Sequence, residues 1–338
     1  MRPAPVLAAV TSAALAFMLA ACGGDDAGPS AGPSAGPAGS SGRVEALSFP
    51  ATVSNCGEDI TLDKQPEAVL TVGTAAPSLL AVAGAGDRVV GRSGEFGTPL
   101  HGEAANLLGD VPIVTPDDPT LENVIGSGAD IVIGAGLFNT TAAEVEGAGL
   151  ANLLVTGECG HDTGSGDEAS TTFDAIWTDL ELYGKIFGTS ETANEAVTDL
   201  KARLIAAGDA AKGAGELRAA GVYFWGTQIS VTGKRNIVHD QFDILGVTDV
   251  FEDLDKNYAE GNLEELIGRD PDVIVLSYGL DGETADQAKA KLLALPGVAD
   301  MAAVRNNRIV LLDYALRSPE PSAVDGVEFL AKELDRGA

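Results

Sequence analysis

The chain has 338 residues, 21 Lys+Arg against 50 Asp+Glu, and a formal net charge of −29. That balance excludes a nucleic-acid binder, because a phosphate backbone needs basic patches and this surface repels it. With 45% hydrophobic residues the chain is ordinary globular material, long enough for two lobes. At the N-terminus, Arg2 opens a short positive region, Pro5 to Leu19 is nearly all apolar, and Leu19-Ala20-Ala21-Cys22 follows. The apolar run is about 15 residues, short of the roughly 20 that cross a bilayer, so residues 1–21 read as a secretory leader.

Small residues placed before Cys22 resemble the lipobox of bacterial lipoproteins, which implies that Cys22 is lipidated and becomes the mature N-terminus; the alternative is an ordinary leader with a fortuitous Cys. Residues 22–43 are rich in Gly, Ser, Ala and Pro, with an A-G-P-S-A-G-P near-repeat. Nothing there can bury a core, so the segment reads as a flexible tether. An anchored leash puts the body on the outer face of the cell membrane. Thiols oxidise there and Cys22 is accounted for, so Cys56 and Cys159 are expected to pair, the alternative being two buried thiols. Closing a loop of about 100 residues is worth about 4 to 5 kcal/mol.

Along the body, short β-branched runs alternate with amphipathic helical stretches, the pattern of an α/β fold with mainly parallel sheets. Strands are expected at 67–72, 88–91, 111–114, 130–134 and 152–156, then at 218–225, 247–251, 272–277 and 308–313. Between the two sets, Ile176, Leu180, Tyr183, Ile186 and Phe187 share one helical face, with a break near Gly188 to Ser190. The reading is an N-terminal lobe over 44–172, one long rigid helical link over 173–213 and a pseudo-symmetric C-terminal lobe over 214–338. An internal repeat supports it. Thr120-Leu121-Glu122-Asn123-Val124-Ile125-Gly126 leads into Asp130-Ile131-Val132-Ile133, and Asn262-Leu263-Glu264-Glu265-Leu266-Ile267-Gly268 leads into Asp272-Val273-Ile274-Val275.

Catalytic motifs find little support. His101, His161 and His239 lie far apart, and no G-x-S-x-G elbow stands between a strand and a helix. Gly233-Lys234 is followed by Arg235 and lacks the upstream Gly of a phosphate loop. No cofactor is expected. Asp253, Asp255, Asn257 and Glu264 match the oxygen spacing of a calcium loop, but Tyr258 stands where its turn needs Gly. The preferred reading is a solvated acidic loop. Ligands of open parallel sheets sit beyond the carboxyl ends of the strands, which nominates Thr74, Arg92, Phe96, Phe138, Trp225, Tyr258, Tyr278, Tyr314 and Arg317. The aromatic residues would pack a large rigid ligand, and the two Arg would offer forked donors to anionic oxygens.

Several segments together resemble one family: Asn55-Cys56-Gly57, Gly86-Asp87-Arg88-Val89-Val90-Gly91, both L-E repeats, Tyr183-Gly184-Lys185-Ile186-Phe187-Gly188, and Asn307-Arg308-Ile309-Val310-Leu311-Leu312-Asp313-Tyr314. They are similar to the class III periplasmic substrate-binding proteins of ABC importers for iron-siderophores, haem and cobalamin. The Asn-Cys-Gly start with the later Glu158-Cys159 is similar to the actinobacterial branch. The resemblance implies a non-enzymatic protein that clasps a small molecule, foremost a ferric siderophore and alternatively cobalamin, haem or another cofactor, between two lobes and hands it to a permease and its ATPase; the rival readings are an extracytoplasmic enzyme or a lipoprotein that presents a ligand without transport. It also implies that Glu122 and Glu264, one per lobe, dock on basic permease loops. Ser78 departs from the family, which often has Glu there.

Overall fold

The computed structural model describes residues 46–160, 169–211 and 217–335. The leader, the tether, Cys22 and His161 lie outside them. Two short strands, β1 (Ala51–Asn55) and β2 (Glu58–Leu62), open the body as an antiparallel hairpin. Its two-residue turn is Cys56-Gly57, and both residues have positive φ, 50° and 83°. That is the turn whose twist matches paired strands. Asn55, half of the Asn-Cys motif, ties the hairpin to the lobe: its amide donates to the carbonyl of Leu154 (2.9 Å) and accepts from the N–H of Leu154 (2.8 Å). Beside it Cys56 and Cys159 form the expected disulfide, with Cα atoms 5.4 Å apart.

The N-terminal lobe is a parallel sheet of β3 (Val69–Val72), β4 (Val89–Ser93), β5 (Ile113–Thr115), β6 (Ile131–Gly134) and β7 (Ala151–Leu154), in the order β5-β4-β3-β6-β7. Every residue of β3 and β6 is buried, as expected of strands covered by helices on both faces. Around them run α1 (Ala75–Val82), α2 (Gly102–Leu108), α3 (Leu121–Gly126) and α4 (Ala142–Gly147). A Thr caps each of α3 and α4 in a reciprocal box, Thr120 with Asn123 and Thr141 with Glu144.

The link is two helices that part at the break expected near Gly188 to Ser190, and the chain reverses there instead of continuing as one long link. Helices α5 (Phe173–Phe187) and α6 (Ser190–Ala210) meet at Gly188, which takes the left-handed conformation (φ 74°) that lets the chain reverse. They lie antiparallel. A Cβ on Gly184 would come within 2.7 Å of Ala193 Cβ, and Lys201 sits 5.4 Å from the centre of the Trp177 ring. The expected apolar face of α5 is fully buried.

In the C-terminal lobe, β8 (Arg218–Trp225), β9 (Gln228–Thr232), β10 (Thr248–Asp249), β11 (Tyr258–Glu260), β12 (Val273–Tyr278) and β13 (Ile309–Asp313) form the second sheet. Its path is β11-β9-β8-β12-β13, with β10 beside β8. The pairs β8–β10, β8–β12 and β12–β13 are parallel, and β9 runs antiparallel to β8 and β11. Helices α7 (Ile237–Leu245), α8 (Leu263–Arg269), α9 (Ala285–Ala294), α10 (Ala302–Arg305) and α11 (Ala323–Asp335) complete it. The sequence repeat falls on equivalent units, α3–β6 and α8–β12, and its repeated Asp does the same work in each. The Asp130 carboxylate accepts from the N–H groups of Glu67 and Ala68 at the entrance of β3, and Asp272 accepts from that of Arg218 at the entrance of β8.

One apolar core runs from Val53 through both lobes to Leu334, so the described residues of the body pack as a single unit. A second cluster lies within the C-terminal lobe, around Val222, Phe251 and Leu276, and a third within the N-terminal lobe, around Leu70 and Val132. No helix among the described residues is long and apolar enough to cross a membrane.

Candidate functional site

The carboxyl ends of the parallel strands in the two lobes carry most of the nominated residues. In the N-terminal lobe, Thr74 is the half-buried N-cap of α1, immediately beyond β3. Phe96 follows β4 and Phe138 follows β6, and both rings are exposed. Their loops are knitted together. The Phe96 N–H donates to Pro116 and that of Gly94 to Asp117, while the Asp118 carboxylate accepts from the N–H groups of Phe138 and Asn139. Burial pushes the Asp118 carboxyl up, against the pull of those two N–H groups. The turn at Pro116 to Asp118 therefore holds the backbone of both aromatic residues at the rim.

Arg92 is the exception. It lies within β4, not beyond it, and is only 6% exposed. Its guanidinium is spent on Glu95, at 2.9 and 3.1 Å from the two carboxylate oxygens, and on the carbonyl of Val111. An Arg committed to a buried ion pair is structural, since breaking it would strand a charge in the interior. The sequence shows the pairing in hindsight as an Arg and a Glu three residues apart.

The C-terminal lobe gathers its nominees more closely. Arg317 follows β13, is 6% exposed, and lies between two phenol rings: 4.7 Å from the centre of Tyr223 and 4.9 Å from that of Tyr314. Tyr258 meets Tyr223 edge-on at 6.2 Å. Burial raises the phenols of Tyr223 and Tyr314, and Arg317 pulls each partly back. Both rings are thus neutral at physiological pH and offer their faces to the cation. The Nε and Nη1 groups of Arg317 are buried with no hydrogen-bond partner among the described residues. Buried charged donors without partners are costly, and an anionic oxygen placed there would satisfy them. Tyr223 escaped the sequence reading. The period of two along β8 puts it on the same face as Trp225, and that was the available signal. Trp225 ends β8 with 60% of its surface exposed, and Tyr278 ends β12 half-buried.

Contacts between the lobes border this region. Glu158 of the turn after β7 bears electrostatically on Tyr314, and His101, at the start of α2, lies 3.8 Å from Asp313 at the end of β13. Asp179 on α5 grips that same turn, accepting from the N–H (2.9 Å) and hydroxyl (2.6 Å) of Thr156, and its burial pushes its carboxyl up to about 7.

Glu122 and Glu264 occupy the first turns of α3 and α8. Both are exposed, and neither carboxylate has a hydrogen-bond or ion-pair partner among the described residues. The acidic loop before α8 is held by ion pairs: Asp253 with Arg269 and Asp255 with Arg235. Asn257 is buried against Asn236, and no group of three or more His, Cys, Asp or Glu among the described residues is placed to hold a metal ion.

Comparison with known proteins follows the same lines. The family model described as periplasmic binding protein matches residues 69–316. A cobalamin-binding protein of Halobacterium salinarum is 26% identical over 297 residues, covering 85% of this chain and 74% of its own length. An uncharacterized ABC transporter substrate-binding lipoprotein of Bacillus subtilis, YvrC, is 22% identical over 295 residues, covering 85% of this chain and 86% of its own. Among solved structures, that of an ABC-type Fe3+-hydroxamate transport system from Saccharomonospora viridis superposes with a TM-score of 0.73 at 28% identity, covering 85% of this chain and 99% of that one.

Proposed function

The chain belongs to the periplasmic binding protein family, extracytoplasmic solute-binding partners of ABC permeases, and from that premise we propose that it captures a ferric siderophore between its lobes. The observation that carries the choice of solute is Arg317, a buried guanidinium framed by tyrosine rings with two donors unspent. A ferric chelate presents the complement: anionic oxygens around the metal and broad rigid faces for Phe96, Phe138, Trp225 and Tyr278. The likeness to the Fe3+-hydroxamate transport structure supports this reading. Binding, not bond-making, is the whole of the chemistry.

In this reading Cys22 carries the lipid that holds the protein at the outer face of the membrane, and the exposed carboxylates of Glu122 and Glu264 meet cationic loops of the permease. A surface with a net charge of −29 raises the encounter rate with such loops at low salt. The second reading, cobalamin, is favoured by the relative from Halobacterium salinarum.

Tryptophan fluorescence tests the choice. The chain has two Trp, of which Trp177 is buried and Trp225 exposed. Titration with ferric hydroxamate and catecholate siderophores, cobalamin and haem should give saturable quenching by one ferric siderophore, lost in Trp225→Ala and matched by a thermal shift. Quenching by cobalamin alone would replace the solute and keep the role, and silence across the panel would overturn the transport reading.

A further inference from the structure

The segment that leaves β13 carries a buried acid that reaches across to the other lobe. Glu320 is 1% exposed. Its carboxyl is hydrogen-bonded to the hydroxyls of Ser78, on α1 of the N-terminal lobe, and of Ser322 on its own segment. Next to it the lobes come as close as backbones allow: a Cβ on Gly157 would stand 2.5 Å from Pro319 Cβ. We propose that Glu320 is a proton-operated latch between the lobes, closed while its carboxyl is neutral and loosened when it ionises.

The surroundings set the direction. Helix α1 offers only the neutral Ser78, and α7 offers the neutral Gln241, whose amide is committed to the carbonyls of Leu316 and Ala323. The ionisable groups that bear on Glu320 are Asp313 at the end of β13, Asp325 on α11 and Tyr314, all acidic. From the N-terminal lobe Glu158 bears on Tyr314 and His101 lies beside Asp313. Arg317, the nearest cation in sequence, faces the rings of Tyr223 and Tyr314. An ionised Glu320 is thus a buried charge beside Asp313, with Asp325 already paired to Arg203 and the Ser322 hydroxyl already donating to the carbonyl of Ala315, and parting the lobes lets water reach it.

Burial pushes the carboxyl from its ordinary 4.5 up to about 7. The closed form then binds more protons than the open one at pH values between those limits, so closure is favoured in acid and given up as pH rises through 7. From pH 6 to pH 8 the odds of the open form should rise about tenfold.

The test needs no ligand, so it stands apart from the choice of solute. Spin probes on p-acetylphenylalanine at Glu103 and Asp286, exposed positions on α2 and α9, leave the cysteines untouched and report the lobe separation of the full-length protein. The expected result is a tenfold rise in the ratio of open to closed form between pH 6 and pH 8, abolished in Glu320→Gln, which stays closed at both. Ser78→Ala, which removes only the cross-lobe hydroxyl, should raise the open fraction at pH 6 and decides the matter if Glu320→Gln does not fold. Unchanged separation in the wild type, an undiminished pH response in Glu320→Gln, or an unaltered Ser78→Ala would overturn the latch. So would loss of the response in Asp179→Asn, which would assign it to the carboxyl on α5 that burial also raises to about 7.

Discussion

Replacing Arg317 by Met separates the role of that residue in binding from any role in stability. Among the described residues its Nε and Nη1 have no hydrogen-bond partner, and each buried unmet donor costs about 1–3 kcal/mol. The two ring contacts recover about 0.5–2 kcal/mol each, so the native arginine stands near break-even. Met keeps an apolar stem between Tyr223 and Tyr314 and removes the stranded charge. The unfolding free energy in urea should therefore change by no more than about 1 kcal/mol, in either direction. Binding should suffer much more. Two charge-assisted hydrogen bonds to a ferric chelate are worth about 1.5–3 kcal/mol each, and the loss of the smaller sum weakens affinity by at least about 100-fold. Arg317→Lys should recover only part, because an ammonium keeps the charge but not the fork. Fluorescence titration through Trp225 reads the affinity and urea unfolding reads the stability. Affinity within twofold of wild type, or a stability loss above about 3 kcal/mol, would refute the reasoning by making Arg317 part of the scaffold.

Three further outcomes follow from contacts already described. Reducing the Cys56–Cys159 bridge, or replacing both residues by Ser, reopens a loop with a sequence separation of 103 and should cost about 4–5 kcal/mol, seen as a lower melting temperature in dithiothreitol. Asp130→Ala removes the acceptor of the N–H groups of Glu67 and Ala68 and should destabilise by about 0.5–1.5 kcal/mol in chemical denaturation, with Asp272→Ala a milder case because it releases one N–H rather than two. The pair Glu122→Ala and Glu264→Ala should leave solute affinity intact and abolish uptake by whole cells; unchanged uptake would remove these carboxylates from permease docking.

Buried parallel strands were the legible part of the fold, because a strand covered on both faces needs an unbroken apolar run. The run at 218–225 coincides with β8 end to end. Hairpin β1–β2 and strands β9 and β11 were missed for the opposite reason. They are short and alternate with polar residues, as in Gln228–Thr232, and owe their place to partners distant in sequence. Arg92 was misplaced because a charged residue after a run of Val and Gly looks like the end of a strand, and only the fold brings Glu95 back onto it. At the site, strand ends could be located from periodicity. The Arg317–Tyr223 stack could not, since it joins the exit of β13 to the middle of β8.

The distribution of apolar and polar contacts also bears on how such a body can close on a solute. The hairpin of α5 and α6 engages both lobes. The Phe173 N–H donates to Asp240 on α7, Gly84 beyond α1 lies against Thr192, and Arg203 pairs with Asp325 and Glu328 on α11. Packed interiors resist continuous deformation, and the main core extends through this hairpin into both lobes without interruption. A wide hinge opening would have to tear it. The contacts that can be exchanged for water at small cost lie at the carboxyl ends of the strands, where Ser78 meets Glu320, His101 meets Asp313 and Gly157 meets Pro319. Motion is therefore expected as a small change in spacing at that edge, governed by the ionisation of Glu320, with the helical back of the molecule held fixed.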